Sequence, residues 1–117
     1  FPNIITNKWF IGFSIKGTSG AEIYPDVDII SDNYFEKNLP NSFTSRSFKS
    51  FVTTKEYSEI TVCGLDLCGC VGATAKGAIK TGMAVKLSEA ATGCRFGKEK
   101  ANRMKKDLIS LGVKIIK

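Results

Sequence analysis

Histidine is absent from this sequence of 117 residues. Its absence removes the commonest general base and the commonest metal ligand, so a Ser-His or Cys-His catalytic pair cannot be built from this chain alone. Acidic residues are also few, with 11 against 17 lysines and arginines and a net charge of +6. The lysines are scattered and partly clustered in the last predicted helix, which favours a solvated helix face over a nucleic-acid surface. We therefore expect no nucleic-acid partner.

The sequence also lacks any apolar run that approaches the length of a membrane span, and no secretory signal is visible. Its four cysteines, Cys63, Cys68, Cys70 and Cys94, do not have the spacing of a zinc ribbon. We therefore expect no membrane partner, no metal and no cofactor. Free thiols are typical of a reducing cytosol, which predicts a cytoplasmic protein. Because the chain starts at Phe1 and not at Met, we expect that an upstream segment was cleaved, removed or left unread.

Buried strands and amphipathic helices alternate through the second half of the chain. The patterns predict helices at Ser45–Thr54, Val71–Thr81 and Lys98–Leu111 and strands at Glu59–Cys63, Ala84–Leu87 and Val113–Ile116. Weaker patterns predict short strands near Phe10–Ile15, Val27–Ile30 and Tyr34–Lys37. This alternation predicts a single α/β domain over residues 1–117, with a mainly parallel sheet and right-handed crossovers. The active site of such a sheet lies at the carboxyl ends of its strands.

Cys70 follows the carboxyl end of the predicted strand Glu59–Cys63, where a glycine-rich turn becomes a small-residue helix. A thiol at this point feels the positive end of the helix dipole and nearby backbone N–H groups, which favour the thiolate. The same N–H groups can hold an oxyanion. Cys70 is therefore the candidate nucleophile, with an inert packed thiol as the alternative. Cys63, inside the strand, is predicted to act as a small hydrophobe.

Four segments, in the same order, resemble the isochorismatase-like cysteine hydrolases, a superfamily that includes nicotinamidases, N-carbamoylsarcosine amidases and isochorismatases. They are Gly17-Thr-Ser-Gly-Ala-Glu-Ile, Lys37-x-x-x-x-Ser42-Phe43, Gly64-Leu-Asp-Leu-Cys-Gly-Cys70-Val71-x-x-Thr74-Ala75-x-x-Ala78 with Gly82, and Ser88-Glu89-Ala90, which stands where the family usually has Asp-Ala. The resemblance implies a three-layer α/β/α sandwich seen without its first strand–helix unit. Residues 1–117 would then be the C-terminal two thirds of the family fold.

The resemblance also implies an activity, the hydrolysis of a C–N bond in a small amide through a thioester on Cys70. In the family a lysine supports the cysteine, and Lys37 has that position here. A cis peptide bond before the cysteine would be Leu65–Asp66. The backbone N–H groups of Asp66 and Cys70 would be the oxyanion donors.

This chain departs from the family pattern in several places. It has no counterpart of the first-strand Asp-x-Gln segment, which carries the aspartate that takes the thiol proton, and no counterpart of the histidine-bearing metal motif of nicotinamidases. Asp66 replaces a small or hydroxyl residue, and it is a minor candidate for the absent base. Gly77 replaces a frequent aspartate and should weaken its helix by up to about 1 kcal/mol.

Two other functions follow from these departures and from the cysteines. The first is a catalytically inactive, truncated family member that acts as a binding or assembly protein. A parallel sheet without its first strand exposes an edge, so we expect a homo-oligomer or a partner segment that supplies this strand. The second is a thiol redox protein that uses Cys68 and Cys70, although neighbours at i and i+2 in a tight turn rarely form a good disulfide.

Overall fold

The computed structural model describes residue 33 and residues 35–117 of the chain. The chain divides into two compact units, Phe1–Asn38 and Leu39–Lys117. The strands predicted near Phe10–Ile15 and Val27–Ile30 lie outside the described residues. A strand was also predicted at Tyr34–Lys37, but residues 35–37 form neither a helix nor a strand, so that prediction is wrong for those three residues.

Helices and strands alternate within the Leu39–Lys117 unit, as the sequence predicts. A short 3-10 turn, Ser42–Thr44, is followed by α1 (Arg46–Thr54), β1 (Glu59–Leu65), α2 (Gly72–Lys80), β2 (Ala84–Gly93), α3 (Lys98–Ser110) and β3 (Lys114–Ile116). The predicted boundaries of all three helices are correct to within one residue. None of the helices in the described part of the chain is long and apolar enough to cross a lipid bilayer.

The three strands form one parallel sheet in the order β1-β2-β3. Val62 of β1 lies beside Leu87 of β2, and Leu87 lies beside Ile115 of β3. Each connection between neighbouring parallel strands contains a helix, α2 and then α3, because parallel strands need a crossover of about a dozen residues or more. The predicted parallel α/β architecture is confirmed.

Strand β2 is longer than the sequence predicts, because it continues from Leu87 to Gly93. The register slips along this extension: Val62 pairs with Leu87, whereas Gly64 pairs with Thr92. One residue of β1 therefore lies opposite four residues of β2, including the Ser88-Glu89-Ala90 segment. The apolar pattern ends at Leu87, so the periodicity could not show that backbone pairing resumes beyond this polar bulge.

The core lies between the sheet and the helices. Its fully buried large side chains are Leu87 and Leu108, and around them are Phe43, Val52, Val62, Leu67, Val71, Ala75, Ala78, Val85 and Val113. Strand β1 contributes only one of its faces to this core: Ile60 and Val62 point inward, while Cys63 is exposed. The prediction of a buried strand is therefore correct for only one face of β1, and the prediction that Cys63 acts as a small hydrophobe inside it is wrong. The cause is the strand's period of two, which places Cys63 opposite to Val62.

A glycine follows the predicted end of each of two helices, Val71–Thr81 and Lys98–Leu111. Gly82 after α2 has φ +87° and Gly112 after α3 has φ +102°, a left-handed conformation that glycine adopts without a steric penalty. The two leucines at the end of the predicted helix Lys98–Leu111 differ in burial. Leu108 is completely buried, but Leu111 is 49% exposed, because the helix ends at Ser110 and the following turn leads Leu111 outward.

An ion pair joins the polar bulge of β2 to α3, and we expect it to make stability depend on pH. Lys105 Nζ lies 2.9 Å from Glu89 Oε1, and this hydrogen bond and charge lower the pKa of Glu89 below its ordinary value. A lowered pKa in the folded state stabilises the protein at neutral pH, and this contribution is lost as the pH falls through the lowered pKa. In Glu89→Gln, the free energy of unfolding should be lower than in the wild type at pH 7, and the difference should shrink as the pH falls from 7 to 3.

Urea denaturation of both proteins across this pH range would measure the effect. Glu99→Gln is the matched control, because the pair Glu99–Arg103 lies on the same helix but is open to solvent, with Glu99 90% exposed. A Glu89→Gln deficit that stayed constant from pH 7 to pH 3 would contradict the prediction.

Candidate active site

The candidate site is built on the turn between β1 and α2. The Leu65–Asp66 peptide bond is cis, at the position where the resemblance places such a bond. A wide π-type turn, Leu67–Val71, follows directly. The backbone carbonyl of Asp66 accepts hydrogen bonds from the N–H groups of Gly69 (3.0 Å) and Val71 (3.1 Å). These bonds curl the chain so tightly that Gly69 leaves the helical conformation, with φ −117° and ψ −115°.

Cys70 lies on this turn, directly after Gly69 and two residues before α2 begins. It is half-buried and not in a disulfide. The turn is held at both sides by core residues, since Leu67 is 3% and Val71 is 4% exposed. The fold therefore presents the Cys70 backbone at the carboxyl edge of the sheet and at the N-terminal side of α2, as the sequence predicts.

The carboxylate of Asp66 stabilises the same turn through hydrogen bonds to the backbone. Its Oδ1 accepts a hydrogen bond from the backbone N–H of Cys68 (3.0 Å), and its Oδ2 accepts one from the backbone N–H of Arg95 (3.1 Å). The Arg95 side chain adds an ion pair, with Nε 3.5 Å from Oδ2. Asp66 thereby ties the turn after β1 to the loop after β2.

The pKa of Asp66 follows from these contacts. Burial of the carboxylate, whose side chain is 13% exposed, raises the pKa. The hydrogen bonds from the N–H groups of Arg95 and Cys68 and from the Cys94 thiol lower it, as does the charge of Arg95, and the net pKa is below the ordinary value. A carboxylate with a lowered pKa and with donors on both oxygens is a weak proton acceptor. These contacts therefore argue against Asp66 as the base that the sequence lacks.

The thiol of Cys68 contacts the thiol of Cys94, and not that of Cys70, its neighbour in the motif. The Sγ of Cys68 lies 3.4 Å from Sγ of Cys94, which follows the end of β2. Burial raises the pKa of Cys68, and the contact with Cys94 raises it further. The sequence contained a signal for this contact, because Cys68 and Cys94 each follow the carboxyl end of a strand and β1 and β2 are neighbours in a parallel sheet. Sequence reasoning gave neither Cys94 nor Arg95 a role.

The segment before α1 is anchored to α2. Thr74 is buried, and its Oγ1 accepts a hydrogen bond from the backbone N–H of Ser42 (3.0 Å) and donates one to Ser42 Oγ (3.0 Å). The Asn41 side chain lies against Gly77 so closely that a Cβ at residue 77 would overlap its amide group. Glycine at position 77, where the family frequently has aspartate, thus leaves room for the Asn41 side chain.

Lys37 is exposed and belongs to the Phe1–Asn38 unit, whereas Cys70 belongs to the Leu39–Lys117 unit. Leu65, Asp66 and Cys70 share one turn of the chain. The supporting role of Lys37 and the oxyanion roles of Asp66 and Cys70 stay predictions.

Comparison with known proteins identifies the relatives of this chain. The family model of the isochorismatase domain matches residues 3–115. No curated protein matches the chain significantly. Among solved structures, the pyrazinamidase of Pyrococcus horikoshii in complex with zinc is similar over 90% of this chain, with 26% identity and a TM-score of 0.72.

Two further solved structures share the fold at lower identity. A nicotinamidase/pyrazinamidase from Bacillus subtilis has 22% identity and a TM-score of 0.79 over 90% of this chain. An N-carbamoylsarcosine amidase from Thermoplasma acidophilum has 19% identity and a TM-score of 0.78 over 98% of this chain. The chain covers 61%, 62% and 65% of these three proteins. The isochorismatase-like α/β fold expected from the resemblance is confirmed, for a chain that spans less than two thirds of these neighbours.

The zinc ion in the structure of the Pyrococcus horikoshii pyrazinamidase is a feature of that protein. The histidine-bearing motif that the resemblance associates with nicotinamidase metal cannot be formed by this chain, because its sequence contains no histidine.

Proposed function

This chain belongs to the isochorismatase family, and we propose that it contributes the nucleophile for hydrolysis of the C–N bond of a small amide. The observation that carries this proposal is the position of Cys70 on a tight turn between the end of β1 and the start of α2. Amidases among the neighbours of the same fold support it. We further propose that residues 1–117 act as one functional domain in the cytoplasm.

In the first step, the Cys70 sulfur attacks the amide carbonyl carbon, and the thiol proton passes to a base. The new C–S bond gives a tetrahedral oxyanion, which collapses to a thioester as the C–N bond breaks. The leaving nitrogen takes the proton from the base and departs as ammonia or an amine. Water then attacks the thioester, loses a proton to the same base, and returns the thiol and a carboxylic acid.

Backbone N–H groups are the proposed stabilisers of the oxyanion. Those of Asp66 and Cys70 have the positions that the resemblance implies, on the two sides of the turn. The carbonyl of Asp66 and the carboxylate of Asp66 both accept hydrogen bonds from other residues of the turn, which fixes the backbone before substrate arrives. Donors that are already in place need no reorganisation when charge develops on the substrate.

Two components of this mechanism rest on the resemblance. Lys37 is proposed to stabilise the Cys70 thiolate by its positive charge. The base is proposed to be an aspartate from the family's first-strand segment, which has no counterpart in this sequence. A partner segment that carries this strand would complete the site and cover the edge of the sheet, whereas a homo-oligomer would cover the edge without supplying the aspartate.

The test is to capture the acyl group on Cys70. The wild-type protein would be isolated together with the chain or segment that supplies the first strand and incubated with nicotinamide, pyrazinamide and N-carbamoylsarcosine, and ammonia would be measured. Samples quenched in acid would be digested and the cysteine peptides weighed, since a thioester survives acid. We expect ammonia from at least one amide and an acyl adduct on the Cys70 peptide. Cys63→Ser is the matched control, because Cys63 is exposed on the outer face of β1 and should leave both results unchanged.

Ammonia release without any adduct on Cys70, or an adduct on another cysteine, would overturn the proposed nucleophile. A folded protein that releases no ammonia from any of these amides would favour the alternative of an inactive family member that acts in binding or assembly.

A further inference from the structure

Three potential metal ligands converge beside the candidate active site. A carboxylate oxygen of Asp66, Sγ of Cys68 and Sγ of Cys94 all lie within 4.8 Å of one another. The ligands come from two loops, one after β1 and one after β2. The spacing of the cysteines in the sequence did not predict this site, because Cys68 and Cys94 are 26 residues apart. We propose that Asp66, Cys68 and Cys94 bind a thiophilic divalent cation such as Zn²⁺, independently of the amide hydrolysis proposed above.

The distance between the sulfurs is close to that of two thiolates on one zinc ion. Two thiolates bound to tetrahedral zinc at about 2.3 Å are about 3.8 Å apart. The 3.4 Å separation of Cys68 and Cys94 needs to open by only about 0.4 Å to reach that geometry. A disulfide would require the sulfurs to approach by about 1.4 Å. The two sulfurs therefore need a smaller displacement to bridge a metal ion than to form a disulfide.

The charges around the cluster suit a divalent ion. Two thiolates and a carboxylate carry three negative charges, and a divalent cation with the Arg95 guanidinium, 3.5 Å from Asp66, carries three positive charges. Lys100 also acts electrostatically on Cys68 and adds a positive charge at the side of the cluster. When the metal binds, each metal–sulfur bond forms as the thiol releases its proton to water. Soft thiolate ligands select zinc-like ions over Mg²⁺ or Ca²⁺.

The number of ligands defines the kind of site. Three protein ligands leave one position of a tetrahedral zinc ion for water or another small ligand. The cluster is half-buried, so an ion can enter from solvent. It also differs from the histidine-bearing motif of nicotinamidases, because its ligands are a carboxylate and two thiolates.

The experiment is a titration of the reduced protein with Co²⁺, followed by competition with Zn²⁺. A thiolate-to-Co²⁺ charge-transfer band that saturates at one ion per chain and disappears with Zn²⁺ is the expected result. Cys68→Ser and Cys94→Ser should weaken binding at least as much as the 10–100-fold typical of losing an outer partner of a metal ligand. Cys63→Ser and Cys70→Ser are the matched controls and should bind as the wild type does.

A second measurement on the wild-type protein does not depend on how the variants fold. Zn²⁺ should protect Cys68 and Cys94 from alkylation by iodoacetamide, while Cys63 is still modified, as read from peptide masses. The proposal is overturned by the absence of the band, by a band that Cys70→Ser removes, or by equal alkylation of all cysteines with and without Zn²⁺. A protein that ignores Zn²⁺ and instead forms a Cys68–Cys94 disulfide with hydrogen peroxide would also overturn it.

Discussion

Replacing Cys70 with alanine should lower kcat/KM for the amide substrate by about 10⁶-fold, the order seen when the nucleophile of a covalent mechanism is removed. The reason is that no other group on the turn can form the thioester, and the remaining backbone donors can only bind the substrate. The fold should be unaffected, because Cys70 is half-buried and is not one of the core residues. Ammonia release and urea denaturation of the same preparation would measure both effects.

Cys68→Ala is the control for a general effect of losing a thiol from the turn. It removes a sulfur two residues from Cys70 but leaves the proposed nucleophile in place, so the acyl adduct on Cys70 should still form. Ammonia release by Cys70→Ala at a rate within tenfold of the wild type would contradict the mechanism.

Replacing Gly72 with alanine should destabilise the protein by about 3 kcal/mol, at the upper end of the usual cost of overpacking. A Cβ at this position would lie 2.5 Å from the backbone carbonyl oxygen of Leu67, 2.9 Å from Sδ of Met104 and 3.0 Å from its Cε. The Met104 side chain can move, but the Leu67 carbonyl belongs to the turn that carries Cys70. The gain in helix propensity from glycine to alanine is at most about 1 kcal/mol and does not offset this clash.

A double-mutant cycle separates the two neighbours of Gly72. If the Leu67 carbonyl causes most of the clash, Gly72→Ala should cost nearly the same free energy of unfolding in the wild type and in Met104→Ala. Urea denaturation of the four proteins would measure this. A neutral or stabilising Gly72→Ala, or its complete rescue by Met104→Ala, would show that the Leu67 carbonyl does not clash with a Cβ at residue 72.

The pattern of residues predicted the backbone of the Leu39–Lys117 unit well where apolar periodicity and glycine act locally. The helix Arg46–Thr54 and the strand that starts at Glu59 were found because their apolar side chains repeat at the helical or strand period. The helix ends at Gly82 and Gly112 were found because few other residues adopt a positive φ. The position of Cys70 followed from the same local rules.

The same pattern failed where the environment of a side chain depends on distant parts of the chain. The exposure of Cys63 was not predicted, because an apolar run cannot show which face of its strand is covered. The extension of β2 to Gly93 was missed, because its pairing with β1 resumes after a polar bulge. Both errors concern contacts between segments, which periodicity does not contain.

Within the candidate site, the sequence by itself determined the turn, its cysteine and the helix that follows, because these depend on neighbouring residues along the chain. The family was also visible in the order of the motifs, and the match of residues 3–115 establishes it. Only the tertiary structure decided that the Asp66 carboxylate accepts a hydrogen bond from the backbone N–H of Arg95 and that the Cys68 thiol contacts the Cys94 thiol. The physical reason is the parallel sheet, which aligns the carboxyl ends of β1 and β2 and so brings together two loops that are far apart in sequence.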